Sequence, residues 1–124
     1  MMRVDILIDH ALEAQKRAYA PFSNYPVGAA LLTDSDDVIY GCNVESKAYP
    51  TTLCAERVAI FSAISQGYAN FKAIAVVTND GATPCGSCRQ VIHELCGNIP
   101  VHISNVNKKY DTVNMNDLLP HPFG

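Results

Sequence analysis

Apolar residues at Val4, Leu7, Ile8, Ala11, Leu12, Ala14 and Ala18 recur at helical spacing among polar positions. This stripe predicts an amphipathic helix from Val4 to Tyr19 lying against a sheet. The period then changes. Pro21 and Pro26 bracket a short loop, and Val27 to Leu32 is an unbroken run of small and aliphatic residues, read as a buried strand. The polar turn Asp34-Ser35-Asp36-Asp37 ends it, and Val38 to Cys42 returns as its hairpin partner. Asn43 to Leu53 has no period and carries Pro50 and two threonines, which marks a loop. A helix from Cys54 to Gln66 follows, terminated by Gly67. Phe71 to Thr78 reads as a second buried strand and Asn79 to Thr83 as a loop. Pro84, favoured in a first helical turn, opens a helix through Leu95 that stops at Gly97. Val101 to Ser104 is a strand, Lys108 to Val113 an edge strand, and Met115 to Leu119 a helical turn before Pro120 and Pro122. A helix, a hairpin and then helix, strand, helix, strand imply an α/β fold in three layers, with a mixed sheet between helices. The strand order does not follow from this pattern.

Length and charge narrow the function. At 124 residues the chain fits one domain, residues 1–124, long enough to bury its own core. A hydrophobic content of 48% with no Trp describes an aliphatic globular chain, not a disordered one. The net charge of -3 provides no basic field for a polyanion, so a nucleic acid polymer is not an expected partner. Met1 to His10 interleaves apolar residues with Arg3, Asp5 and Asp9 and does not read as a signal peptide. No stretch has the length to span a membrane, and no membrane partner is expected. Five cysteines without a secretory signal point to a reducing compartment, by default the cytoplasm.

The cysteines carry the chemistry. Cys54-Ala55-Glu56-Arg57 opens one central helix, and Pro84-Cys85-Gly86-Ser87-Cys88-Arg89-Gln90 opens the next. Two thiols separated by two residues can face one ion from a first helical turn. A third thiol from another helix start leaves the fourth tetrahedral position open, the pattern of a catalytic zinc site. Zinc lowers the pKa of water at such a position from about 15.7 to about 7. Glu56, two residues from Cys54, is placed to move that proton, so it reads as the base and not as a ligand. Three thiolates on Zn²⁺ leave a negative net charge, which weakens the metal as a Lewis acid. The two helix N-termini offset it, and Arg57 and Arg89 can add hydrogen bonds to the sulfurs, the bland alternative for either being a solvated helix face. The competing readings are buried structural thiols or a closed structural zinc, but no fourth Cys or His stands at motif spacing. Cys42 and Cys96 read as core thiols, and His10, His93, His102 and His121 lack ligand spacing to the cluster.

The signature of Cys-x-Glu followed by Pro-Cys-x-x-Cys resembles that of zinc-dependent nucleobase deaminases, and most closely the cytidine deaminase family. The resemblance includes Ala20-Pro21-Phe22-Ser23, Tyr25-Pro26-Val27-Gly28-Ala29-Ala30-Leu31-Leu32, Cys42-Asn43-Val44-Glu45 and Asp117-Leu118-Leu119-Pro120 with Phe123. It implies a five-stranded mixed sheet in the α/β/α fold, with Zn²⁺ held by Cys54, Cys85 and Cys88. The implied reaction is hydrolytic deamination of cytidine and 2′-deoxycytidine to uridine and 2′-deoxyuridine, with release of ammonia. The resemblance places Asn43 and Glu45 on the ribose 3′-hydroxyl, and backbone N–H groups of Ala55 and Cys85 on the pyrimidine O2 and the attacking oxygen. Tyr25 stands where the family usually has Phe, as the aromatic wall for the pyrimidine. Ser46 and Lys47 replace the usual Asn and Ala, and Lys47 bears on the choice between nucleoside and nucleotide.

The tail suggests an oligomer. Leu118-Leu119-Pro120-His121-Pro122-Phe123-Gly124 is stiffened by two prolines and carries one large ring, whose burial is worth roughly 1.5 to 3 kcal/mol. By the resemblance, Phe123 reaches the pyrimidine of a neighbouring subunit in a homotetramer, and Tyr49 lies near a site formed between subunits. Rival functions are deamination of another aminopyrimidine nucleoside such as blasticidin S, and a non-catalytic zinc-stabilised binding module.

Overall fold

A computed structural model describes residues 2–124. The predicted first helix is α1, Val4–Gln15, and its apolar stripe turns Leu7, Ile8, Ala11 and Ala14 inward. It ends earlier than the stripe suggests because Tyr19 pairs elsewhere. The Tyr19 N–H donates to the Asn43 carbonyl at 2.9 Å, and its carbonyl accepts from the Glu45 N–H at 2.8 Å. Backbone pairing to a distant strand end thus overrides a helical period that continues to Ala18.

The strands are β1 Gly28–Thr33, β2 Val38–Cys42, β3 Phe71–Val77, β4 Pro100–Ser104 and β5 Tyr110–Asn114, in spatial order β2-β1-β3-β4-β5. β3 and β4 run parallel, and the other neighbours are antiparallel. The central strands read as continuous apolar runs because both faces are covered. Ala30, Leu32, Ala73, Ala75 and Val77 pack with α1 on one face. On the other, Ala29, Leu31, Ile74, Val76, Val101 and Ile103 pack with helices α2, Ala55–Ser65, and α3, Gly86–Cys96. These are the three layers and the mixed five-stranded sheet that the sequence implied. A short helix α4, Met115–Leu118, follows β5. The segment read as a loop, Asn43 to Leu53, contains a single 3₁₀ turn at Tyr49–Thr51 and bridges Val44 to both Tyr19 and Leu53.

Two glycines set the distance of the helices from the sheet. A Cβ at Gly28 would lie 2.1 Å from the Ala11 carbonyl oxygen, and one at Gly41 would lie 2.2 Å from that of Ala55. α2 therefore rests with its first turn directly on β2, which fixes the position of Cys54. α3 follows the loop at the carboxyl end of β3, so both helix starts meet at the same end of the strands. Among the described residues, no helix is long and apolar enough to cross a membrane.

Candidate active site

Cys54 and Cys85 each occupy the N-cap of a helix, α2 and α3, with extended backbone and no side-chain cap to their own helix. Both helices consequently start later than the sequence pattern predicts, and their free thiols project from the positive ends. Cys88 lies one turn into α3 and is fully buried. The Sγ atoms of Cys54, Cys85 and Cys88 all lie within 4.8 Å of one another. A tetrahedral zinc with bonds of about 2.3 Å needs sulfurs about 3.8 Å apart, so this donor set fits the ion with small side-chain adjustments. Cys42 and Cys96 lie outside the cluster. The Cys42 thiol donates to the Arg17 carbonyl at 3.4 Å, and burial pushes the Cys96 thiol up to about 12.

The cluster is electrostatically primed for a cation. A hydrogen bond from Cys88, together with the Arg57 guanidinium, holds the Cys54 thiol down at about 5 against the opposing effect of burial. Cys88 moves the opposite way, because it shares its proton with Cys54 and is buried. Arg57 Nη2 donates to Cys54 Sγ at 3.4 Å, while its Nε is buried without a partner. Arg89 does not reach the sulfurs, contrary to one reading of the sequence. Its Nε donates to the Pro84 carbonyl at 2.8 Å, its Nη1 to the Leu118 carbonyl at 3.0 Å and its Nη2 to Thr83 Oγ1 at 3.0 Å. Arg89 is one residue past Cys88, about 100° further round the helix, which directs it towards the preceding loop and the tail.

Glu56 lies between Cys54 and Arg57 and is only 4% exposed. Burial pushes its carboxyl up to about 7, a value at which it accepts and returns protons near neutral pH. It shares a cavity of about 280 Å³ with the three thiols, Tyr25, Asn43, Glu45 and Ala55. That volume is at the small end for ligand pockets and suits one compact molecule. Neither Lys nor Arg lines it.

Several polar groups at the cavity are already partly engaged. Asn43 accepts the Val27 N–H at Oδ1 and donates from Nδ2 to the Tyr25 carbonyl, both at 2.9 Å. One Nδ2 hydrogen and one Oδ1 lone pair remain for a ligand. Glu45 accepts the Phe22 and Ser23 N–H groups at Oε1 and the Ser23 hydroxyl at Oε2. The Ser23 hydroxyl first, and then the two N–H donors, hold its carboxyl below the usual carboxylate range. Both side chains thus brace the segment Phe22–Val27 as well as face the cavity. The Tyr25 hydroxyl donates to Asp80 Oδ1, a partner with no local signal in the sequence.

Tyr49 and Phe123 are not brought to Glu56 within one chain. Each is 85% exposed. Tyr49 lines a neighbouring cavity of about 540 Å³ with Phe22 and Arg57, and Lys47 lines neither space. The Phe123 ring projects into solvent while its backbone is held by Gln90, which accepts its N–H at 3.0 Å and donates to its carbonyl at 3.1 Å. Gln90 follows the Cys85–Cys88 pair in the sequence, and its role in anchoring the tail was not legible there.

Residues 2–102 match the family described as the cytidine and deoxycytidylate deaminase zinc-binding region. The cytidine deaminase of Sporosarcina psychrophila is 46% identical over 98% of this chain and 92% of its own length. That of Halalkalibacterium halodurans is 43% identical over 95% and 92%. Among solved structures, the Burkholderia pseudomallei cytidine deaminase superposes with a TM-score of 0.95 at 44% identity, covering 98% of this chain and all of the other. The Mycobacterium tuberculosis enzyme gives 0.86 at 37% identity, covering 100% and 99%. With a zinc-binding family match across most of its length and full-length relatives at this identity, the chain belongs to the cytidine deaminase family.

Proposed function

We propose that the chain is a zinc-dependent hydrolase that deaminates cytidine and 2′-deoxycytidine to uridine and 2′-deoxyuridine, releasing ammonia. The observation that carries this reading is a buried carboxyl, Glu56, sharing one small cavity with three thiols suited to zinc. Zinc held by Cys54, Cys85 and Cys88 would make a water nucleophilic at neutral pH. Glu56 would take a proton from the attacking water as its oxygen bonds to C4 and give that proton to N3. It would then take the remaining proton of the new C4 hydroxyl and pass it to the amino nitrogen, so that C4=O forms as the C4–N bond breaks and ammonia leaves. The N–H groups of Ala55 and Cys85, at helix starts where no carbonyl of the same helix can accept them, are donors for the pyrimidine O2 and the attacking oxygen. The Tyr25 ring packs on the base, and the spare capacity of Asn43 and Glu45 takes the ribose 3′-hydroxyl.

The charged side chains lining the cavity are Glu45 and Glu56, which favours a nucleoside over its 5′-phosphate. We read residues 1–124 as one catalytic domain, since a single sheet carries both helix starts. The active unit in this reading is a cytoplasmic homotetramer serving pyrimidine salvage, with each cavity completed by a neighbour's Phe123 and with Tyr49 at the join. It is supported by these two exposed rings and by the partly exposed Phe22, Val44 and Leu53 around the site.

The test is the loss of cytidine absorbance by zinc-verified protein, with and without chelator, across a panel of cytidine, deoxycytidine, cytidine monophosphate and blasticidin S. Zinc-loaded protein that leaves cytidine untouched overturns the substrate assignment. Glu56→Gln is expected to lower kcat by about 10² to 10⁴ or more while zinc is retained. A binding module without catalysis would show no activity for this substitution to remove.

A further inference from the structure

Tyr25 lies between α1 and β1, and Asp80 lies between β3 and α3. Asp80 Oδ1 accepts not only the Tyr25 hydroxyl but also the Thr78 hydroxyl and the Ala82 N–H, each at 3.2 Å. Thr78 is buried, and its Oγ1 in turn accepts the Gly81 N–H at 2.7 Å and the Ala82 N–H at 3.0 Å. Gly81 holds φ at +77°, a value glycine adopts without steric cost. The segment 78–82 is therefore wound on itself before it leads through Thr83 and Pro84 to Cys85. On the facing segment, Asn43 clamps the backbone on both sides of Pro26 through the Tyr25 carbonyl and the Val27 N–H.

The Tyr25 hydroxyl spans the two segments. A phenylalanine at position 25 would keep the ring and the backbone clamp but offer Asp80 no donor. Burial and the Asp80 carboxylate both raise the Tyr25 phenol above its ordinary value, so the phenol keeps the proton it donates. Gln15 makes a parallel tie, donating from Nε2 to the Pro26 carbonyl at 3.0 Å and to Asn79 Oδ1 at 3.2 Å. The gap is thus bridged twice, which keeps the loss of one bridge modest.

We propose that the Tyr25–Asp80 hydrogen bond is a latch that fixes the aromatic wall of the cavity to the loop delivering Cys85, making Asp80 a positioning residue for this site. Its effect on turnover rests on the deaminase reading; its effect on loop order does not. Tyr25→Phe and Asp80→Ala are each expected to raise KM for cytidine about three- to tenfold, the range for one lost hydrogen bond. KM should rise more than kcat falls, because the base packs on the ring in the ground state and the transition state alike. The double variant should be no worse than Asp80→Ala alone, since Asp80→Ala already deletes the bond that Tyr25→Phe removes. Asp80→Asn, whose amide oxygen still accepts from the phenol, should bring KM back towards the parent value. In zinc-loaded protein, amide hydrogen exchange at Gly81 and Ala82 should quicken in Tyr25→Phe. Unchanged exchange at these two amides overturns the latch whatever the kinetics give, and additive KM effects in the double variant overturn it too. If the parent protein leaves cytidine untouched, the deaminase reading fails and the exchange measurement alone decides the latch.

Discussion

Arg57 Nη2 donates to Cys54 Sγ at 3.4 Å across the first turn of α2. The cation is held where three thiolates and one zinc would otherwise sum to a negative charge, and hydrogen bonds from such outer groups orient and tune metal ligands. Arg57→Ala is expected to weaken zinc binding about 10- to 100-fold, read by competition with a chromogenic chelator. Unaltered competition would show that the contact does not serve the metal.

Replacing Cys54, Cys85 or Cys88 singly with Ala should strip zinc and lower the melting temperature, because metal binding that joins two helix starts is also folding free energy. Cys42→Ala and Cys96→Ala are the controls, since neither sulfur lies in the cluster. Metal analysis of the five purified variants separates the two groups. Equal zinc loss in the controls contradicts the ligand assignment.

Phe123→Ala tests the shared cavity. Its ring is 85% exposed in the single chain, and its backbone is anchored through Gln90. A ring held out in water by a docked backbone is explained if a neighbour buries it. Truncation should then raise KM for cytidine about tenfold or more, from the roughly 1.5 to 3 kcal/mol of a buried aromatic side chain. Light scattering supplies the second arm, and a fully active monomer removes the support for a composite site.

His102 gives the pH dependence. It is 5% exposed on β4, with Nδ1 in a 2.8 Å hydrogen bond with Thr112 Oγ1. Burial lowers its folded-state pKa below the ordinary 6.5, so the unfolded chain takes up the proton first as pH falls. This residue therefore withdraws stability as pH drops through 6.5 and below, and leaves it unaffected at higher pH. Chemical denaturation between about pH 7 and pH 5 should show a shallower loss in His102→Gln than in the parent. Parallel curves would rule His102 out as the source.

The elements legible in the sequence are those set by near neighbours. The apolar runs of β1 and β3 and the stripe Leu7-Ile8-Ala11-Ala14 need only a period to be read. The pair Cys85 and Cys88 is equally local, because side chains one helical turn apart stand three positions apart in sequence. Cys54 and Cys85 were placed at helix starts, but their extended N-cap backbone shifted each start to the following residue, a detail that a period cannot locate. The end of α1 was misread for a different reason, since Tyr19 is taken by Val44 and its neighbours through a bridge to a distant segment.

By itself, then, the sequence determined the zinc-binding chemistry, the placing of Glu56 beside Cys54 and the alternation of helix and strand, all of which depend on residue type and short spacing. Only the tertiary structure decided the strand order, the turning of Arg89 from the sulfurs to Pro84 and Leu118, the braces that Asn43 and Glu45 supply, and the bond from Tyr25 to Asp80. Each of these is a choice among many chemically acceptable partners. A guanidinium, an amide or a phenol takes whichever acceptor the packed layers bring within about 3 Å, and that proximity is created by burial of the sheet against its helices, not by any local pattern.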